Sequence, residues 1–361
     1  MTGPMKSAAS TDSAHAIEGV SGALAEWIVQ RQFELDPTLD QRYGPKAQRM
    51  WRTEVQSRLR HLAQAVAVGC PSLFLGSTGW SKIAFASRDV ALSDLRLSLE
   101  CTVEVLGEHL PAVTSESAVA IVSQAIAGLE SMPEFLASHV GGTGPWAELA
   151  LQYLTLLLEH KREEAAQLVL GATKEGAPFE SIALEVIQPA LAEVGRLWHM
   201  NQLSIVEEHY CTAASGCVLS QAFRAALAAR PPKSKGRTAL ITGVGGEVHE
   251  LGPRVVANFL EIDGWSPIFL GVNSPAEEIV ELLSEGRIDL LALSVGTNLA
   301  VGAAKEQIAL VRATRGLEGV RVLVGGAPFN MHPELWREVG ADGCASDARQ
   351  AVEVANRLVG G

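Results

Sequence analysis

Between about residues 15 and 137 the apolar positions recur every three or four residues. The stretches "AIEGVSGALAEWIVQRQFEL", "GPKAQRMWRTEVQSRLRHLAQAVAV", "DLRLSLECTVEVLGEHL" and "ESAVAIVSQAIAGLESM" each carry such a stripe, the period of an amphipathic helix with one face in a core. Five or six helices are expected there. "SHVGGTGPW" (138–146) then breaks the pattern with three glycines and a proline, a domain boundary. Helical spacing resumes over 146–229 in "AELALQYLTLLLEHKREEAAQLVLGATKEG", "FESIALEVIQPALAEVGRLWH" and a segment from Ser204 to about Ala229. Short connections between about four helices predict a bundle.

After 237 the period changes. "TALITGV", "PIFLGV", "DLLALSV" and "VRVLVGG" are short apolar runs separated by helical segments, and a short last strand and closing helix follow. Buried strands alternating with helices predict a doubly wound parallel sheet. The fold class is therefore α and α/β. The order is a polar tail (1–14, expected to be disordered), an all-helical domain of globin-like length (15–137), a bundle (146–229) and a Rossmann-like sheet domain (237–361). The loop "RPPKSKGR" (230–237) links the last two.

Composition narrows the function. A chain of 361 residues with a formal net charge of −12 lacks the clustered Lys and Arg that neutralise phosphates, so nucleic acid is not the expected partner. Five cysteines, an odd count without a Cys-x-x-Cys pair, fit a reducing compartment. The first residues lack the apolar core of a secretory leader. No window holds eighteen uninterrupted apolar residues, so no membrane span is expected. A cytoplasmic protein is the expectation.

Two stretches hold the candidate chemistry. In an open parallel sheet, ligands sit beyond the carboxyl ends of the strands, and the first such loop reads "GVGGEVHELG" (243–252). Its glycines do not fall in the dinucleotide-binding register, and acids occupy the phosphate position. A histidine two residues after a carboxylate suits a metal ligand whose other ring nitrogen is held by that acid. The plainer alternative is an exposed loop histidine. The second stretch, "LWHMNQLSIVEEHY" (197–210), places Trp198 and His199 at a helix C-terminus, and Ser204 with Glu207 forms a capping box that opens the next helix. Glu208 and His209 lie in that helix's first turns. Core packing of Trp198 and His209 is the alternative.

Glu247-x-His249-x-x-Gly252, "SVGT" (294–297) and "GGAPF" (325–329) resemble, in order and at the right strand ends, the cobalamin-binding domain family. That family's motif begins with Asp where this chain has Glu247, which predicts a looser hold on the histidine. The resemblance implies His249 as the lower cobalt ligand, Glu247 as its orienting acid, Gly252 as a further cofactor-binding residue of the motif, and Ser294, Thr297, Gly325 and Gly326 along the channel for the cofactor's tail. Residues 176–209 resemble the bundle of adenosylcobalamin-dependent light sensors, known fused to a MerR-type DNA-binding domain, which is not visible here. That likeness implies adenosylcobalamin as cofactor and contacts from Trp198, Glu208 and His209 to its upper group. It also implies His199 as upper cobalt ligand after photolysis. The domain order resembles the photocobilins, which implies biliverdin as a second chromophore in residues 15–137. His61 and Cys70 are the first positions to test there, and a dimerisation or partner-docking bundle is the alternative for that domain. The resulting expectation is a cobalamin photoreceptor, not an enzyme, that changes its homo-oligomeric state or its grip on a protein partner with light. The rival is a corrinoid protein of a methyltransferase system.

Overall fold

The structure, a computed structural model, describes residues 12–360. It forms two compact units. The first comprises residues up to Phe135 with the segments Thr297–Lys305 and Met331–Val339, and the second holds the remainder from Leu136. Residues 1–11 of the expected tail lie outside the described residues, whereas residues 12–14 already belong to a helix running to residue 19. Ser13 and Ala14 are buried there.

In the first unit the helical stripes fold as their spacing predicts. The long helices are α1 (Ser21–Leu35), α2 (Ala47–Val68), α3 (Pro71–Ala86), α4 (Leu92–His109) and α5 (Ala112–Gly128). Helix α2 stops where Gly69 takes the left-handed conformation that a Cβ disfavours. Pro71 then starts α3, where its missing N–H costs no helical bond. Trp51, fully buried, meets Phe85 edge-on at 5.3 Å. The stretch Ala112–Ser131 is long and apolar enough by composition to cross a membrane. Its buried positions Thr114, Ala118, Ile121 and Ala125 recur as a helix stripe facing a protein core.

The second unit begins with the bundle: α6 (Ala147–Leu158), α7 (Arg162–Lys174), a helix running on from Phe179 into α8 (Gln188–His199), and α9 (Ile205–Ala229). Pro189 sits inside the third of these. Proline has no N–H for the carbonyl four residues back, and the preceding turn, Ile182–Ile187, widens into a π-helix. The capping box opening α9 is present, with Ser204 and Glu207 exchanging hydrogen bonds. The bundle core extends to Phe259 and Ala348 on helices of the sheet domain, and Phe179 touches both Phe223 and Phe259.

The sheet has five parallel strands, β1 (Thr238–Gly243), β2 (Ser266–Phe269), β3 (Leu290–Ser294), β4 (Arg321–Gly325) and β5 (Gly343–Ala345), in the order β2-β1-β3-β4-β5. Helices α10 (Leu251–Ile262), α11 (Ala276–Glu285), α12 (Val301–Ala313) and α13 (Ala348–Gly360) alternate with them. After β1 the chain goes to one side for β2, then crosses back for β3, so the loops leaving β1 and β3 diverge at the switch point. The strand register puts Gly243, Ser294, Gly325 and Ala345 in one row along the carboxyl edge. Three of the motif segments therefore end on the same line.

Candidate functional site

The site is built around the loop leaving β1. Glu247 is only 2% exposed, and a carboxylate taken out of water needs partners. It has four. Oε1 accepts His249 Nδ1 at 2.5 Å and the N–H groups of Val248 and His249 at 2.9 and 3.0 Å. Oε2 accepts the N–H of Gly296, on the loop after β3, at 2.5 Å. Burial alone would raise this carboxyl, but the His249 ring and the His249 and Gly296 amides outweigh it and hold it near 2. His249 is pushed upward, first by its bond to Glu247 and further by the Glu247 and Glu208 charges. The hold is not the looser one that the longer side chain predicts. The added methylene lets the carboxylate reach across to the neighbouring strand's loop.

The His249 side chain is 61% exposed. With Nδ1 turned to Glu247, the ring offers Nε2 outward. Among the described residues no group of three or more His, Cys, Asp or Glu could hold a metal ion. The donor set is one oriented imidazole. That fits a cobalt whose four equatorial positions a corrin ring already fills, and it does not fit a bare ion needing a protein cage.

Glycine is dictated at three places around this imidazole. A Cβ on Gly296 would stand 2.7 Å from His249 Nδ1 and 3.0 Å from both Glu247 oxygens. One on Gly325 would meet the Ala345 carbonyl oxygen at 2.9 Å. Gly326, at φ 118°, would drive a Cβ into the Val295 carbonyl. The last two glycines are thus required by strand packing before any ligand is considered. Gly252 faces Ser294, its Cβ position 4.0 Å from Ser294 Oγ. Thr297 precedes a short 3-10 turn and begins the segment grouped with the first unit.

Residues 237–355 match a family model described as "B12 binding domain", and residues 149–221 match a second model so described. A corrinoid protein of Desulfitobacterium hafniense is 33% identical over 129 residues, covering 36% of this chain and 58% of that protein. Dimethylamine corrinoid protein 1 of Methanosarcina mazei is 26% identical over 215 residues, covering 56% of this chain and 98% of that protein. The solved monomethylamine corrinoid protein of Methanosarcina barkeri shares the fold with a TM-score of 0.52 at 20% identity, over 59% of this chain and 99% of its own. Bundle and sheet together are corrinoid-binding domains.

These relatives overturn the photoreceptor expectation. They are corrinoid proteins, two of them named for methylamines, and nothing in them supports adenosylcobalamin, biliverdin or light-dependent association. His199, read as a second cobalt ligand after photolysis, is 3% exposed and engaged within the protein. Trp198 is 38% exposed at the end of α8, its ring centroid 6.4 Å from that of His199. Glu208 binds His209 Nδ1 at 2.6 Å and accepts Thr212 Oγ1 at 2.8 Å, while the His209 side chain stays 72% exposed. Of this group, Glu208 comes near enough to His249 for its charge to act there.

Sequence reasoning passed over Gly296. It stands inside "SVGT", where attention went to the flanking Ser294 and Thr297. The signal available was the glycine itself, between a buried strand and a helix start.

Proposed function

We propose that this chain is a corrinoid-binding protein of a methyl-transfer system: it holds cobalamin between bundle and sheet and presents the cofactor to partner proteins, without catalysing the transfer itself. The observation that carries the reading is the His249 imidazole, held through Nδ1 by a buried carboxylate at the switch point, with Nε2 outward. The relatives' names support the methyl-transfer setting.

In this reading His249 would ligate the cobalt and Glu247 would keep its ring oriented. Ser294, Gly325 and Gly326 would line the cofactor's tail, Gly252 would bind it from the motif loop, and Trp198, Glu208 and His209 would meet the cofactor from the bundle. Bound cobalamin supplies a cobalt centre able to take up and release a methyl group. The protein's part is to orient the imidazole and limit water around the metal.

The test loads the full chain with hydroxocobalamin, reduces it, and supplies isotopically labelled methylamine, dimethylamine or methanol with methyltransferase fractions from the source cells. Label eluting with the loaded chain, and absent from His249→Ala, is the expected result. A chain that binds cobalamin through His249 yet never acquires label from any donor overturns the methyl-transfer reading.

A further inference from the structure

The loop that carries His249 is clamped from two sides. One clamp is the Glu247 carboxylate on the Gly296 amide of the β3 loop. The other comes from the loop after β2, which sequence reasoning left unassigned. There Asn273 Oδ1 accepts the N–H of Gly246 at 2.8 Å. Asn273 sits at φ 59° and Gly246 at φ 79°, so two left-handed residues meet side chain to backbone. Asn is among the few residues that enter this region at low cost, because its short amide bonds nearby backbone. The same two loops are joined below this point. Gly243 N–H donates to the Gly271 carbonyl at 2.9 Å, and Thr242 Oγ1 lies 3.2 Å from Ser274 Oγ. Val272 packs where a Cβ on Gly243 would stand.

We propose that Asn273 is a positioning residue for the axial imidazole: it latches the apex of the β1 loop to the β2 loop, and so fixes where His249 is presented. The physical reason lies in the loop's composition. "VGGEVH" places two consecutive glycines before the functional pair, and glycine backbone is the least restricted of any residue. The Val244 N–H donates to the Ser294 carbonyl at 3.3 Å, and the Glu247 N–H closes a turn over the two glycines onto the Val244 carbonyl at 3.1 Å. Asn273 adds the bond that takes up the Gly246 amide at the apex of that turn, so its loss frees the tilt of the turn and of the ring three residues past Gly246.

This inference rests on the corrinoid reading of His249, and the experiment separates the two. Asn273→Gly keeps the left-handed backbone and removes the acceptor; Asn273→Asp keeps an acceptor. Amide hydrogen exchange of the full chain without cofactor reads the latch directly. Exchange at residues 246–249 is expected to quicken about three- to tenfold in Asn273→Gly, the range of one modest hydrogen bond, and to stay near wild type in Asn273→Asp. Hydroxocobalamin titration reads the consequence: binding weakens by a similar factor in Asn273→Gly and recovers in Asn273→Asp. Nitrogen-15 labelling of histidine, followed in the electron paramagnetic resonance of the one-electron-reduced loaded protein, reports whether the protein's imidazole still sits on cobalt. Unchanged exchange in Asn273→Gly overturns the latch. Faster exchange with unchanged affinity and an unchanged histidine signature overturns the positioning role. A wild-type chain showing no histidine signature overturns the corrinoid reading instead, and the exchange measurement still decides the latch.

Discussion

The amide of Gly296 points at Glu247 Oε2 from the loop of a neighbouring strand, 49 residues further along the chain, at 2.5 Å. This contact joins the ends of β1 and β3 at the point where the sheet's winding reverses. It turns the carboxylate behind His249 into a fixed part of the sheet edge. Gly296→Ala therefore tests the site without touching its charged groups. The new methyl would stand 2.7 Å from His249 Nδ1 and 3.0 Å from both carboxylate oxygens, so either the ring or the acid must move. The expected outcome is a loss of hydroxocobalamin affinity of about tenfold or more, equivalent to about 1.4 kcal/mol. An absorbance titration of wild type and variant measures it; equal affinities would show that the crowding is relieved elsewhere.

Glu247 and His249 also make stability depend on pH in opposite senses. The carboxyl is lowered from 4.5 to about 2 in the folded chain. As acidity rises through 4.5 the unfolded chain takes up this proton and the folded chain does not, so the contribution is complete above 4.5 and drains away toward 2. The imidazole is raised above 6.5. Its contribution is present below 6.5 and fades as pH climbs through the raised value. The difference in unfolding free energy between wild type and Glu247→Gln should therefore peak between about pH 4.5 and 6.5, at about 1–2 kcal/mol, because the carboxylate is buried but its imidazole partner is 61% exposed and screened by water. Urea denaturation of the cofactor-free protein across pH 3–8 measures the profile. A flat difference would mean that the carboxylate is not charged in the folded chain.

Ser204 carries a simpler prediction. Its hydroxyl accepts the Glu207 N–H, and Glu207 returns a bond to the Ser204 N–H at 2.8 Å. The pair closes the start of the 25-residue helix Ile205–Ala229. Ser204→Ala should cost about 1 kcal/mol. It should also loosen the first turn, where Glu208 and His209 sit. Thermal melting gives the first quantity, and hydrogen exchange at residues 205–209 gives the second.

What the sequence reveals of this protein is what is local. Period alone marks the helices of both units, and Ser204 with Glu207 marks a helix start within four residues of chain. Alternation of apolar runs and helices marks the five-stranded sheet. The π-turn at Ile182–Ile187 escapes period analysis because it adds only one residue's worth of slack ahead of Pro189. Glu247 looks like a weakened version of the shorter acid until the Gly296 amide is seen, and that partner lies beyond two strands and two helices. His199 enters as a candidate ligand only through the likeness of its Trp-His pair to the light sensors, and sequence does not tell which way either ring faces. Helix geometry turns consecutive side chains about 100° apart, and its ring faces inward while Trp198 faces out.

The first unit holds one residue whose chemistry can be tested without knowing what that unit does. His61 is mostly buried, its Nδ1 has no hydrogen-bond partner, and it is lowered from 6.5 to about 4, chiefly by burial and further by the Arg60 charge. The sign is that of a group kept neutral by the fold. Below 6.5 the unfolded chain binds a proton that the folded chain refuses, so stability falls as pH drops from 6.5 toward 4 and levels off below. After allowance for its partial exposure the loss is about 1–2 kcal/mol. His61→Leu keeps an apolar group of similar reach in helix α2 and removes the proton site. The variant should lose less stability than wild type between pH 7 and pH 4.5, a difference read from paired urea midpoints. Equal losses would place the acid sensitivity elsewhere, and a variant much weaker at pH 7 would show that the neutral ring makes a bond worth more than its burial costs.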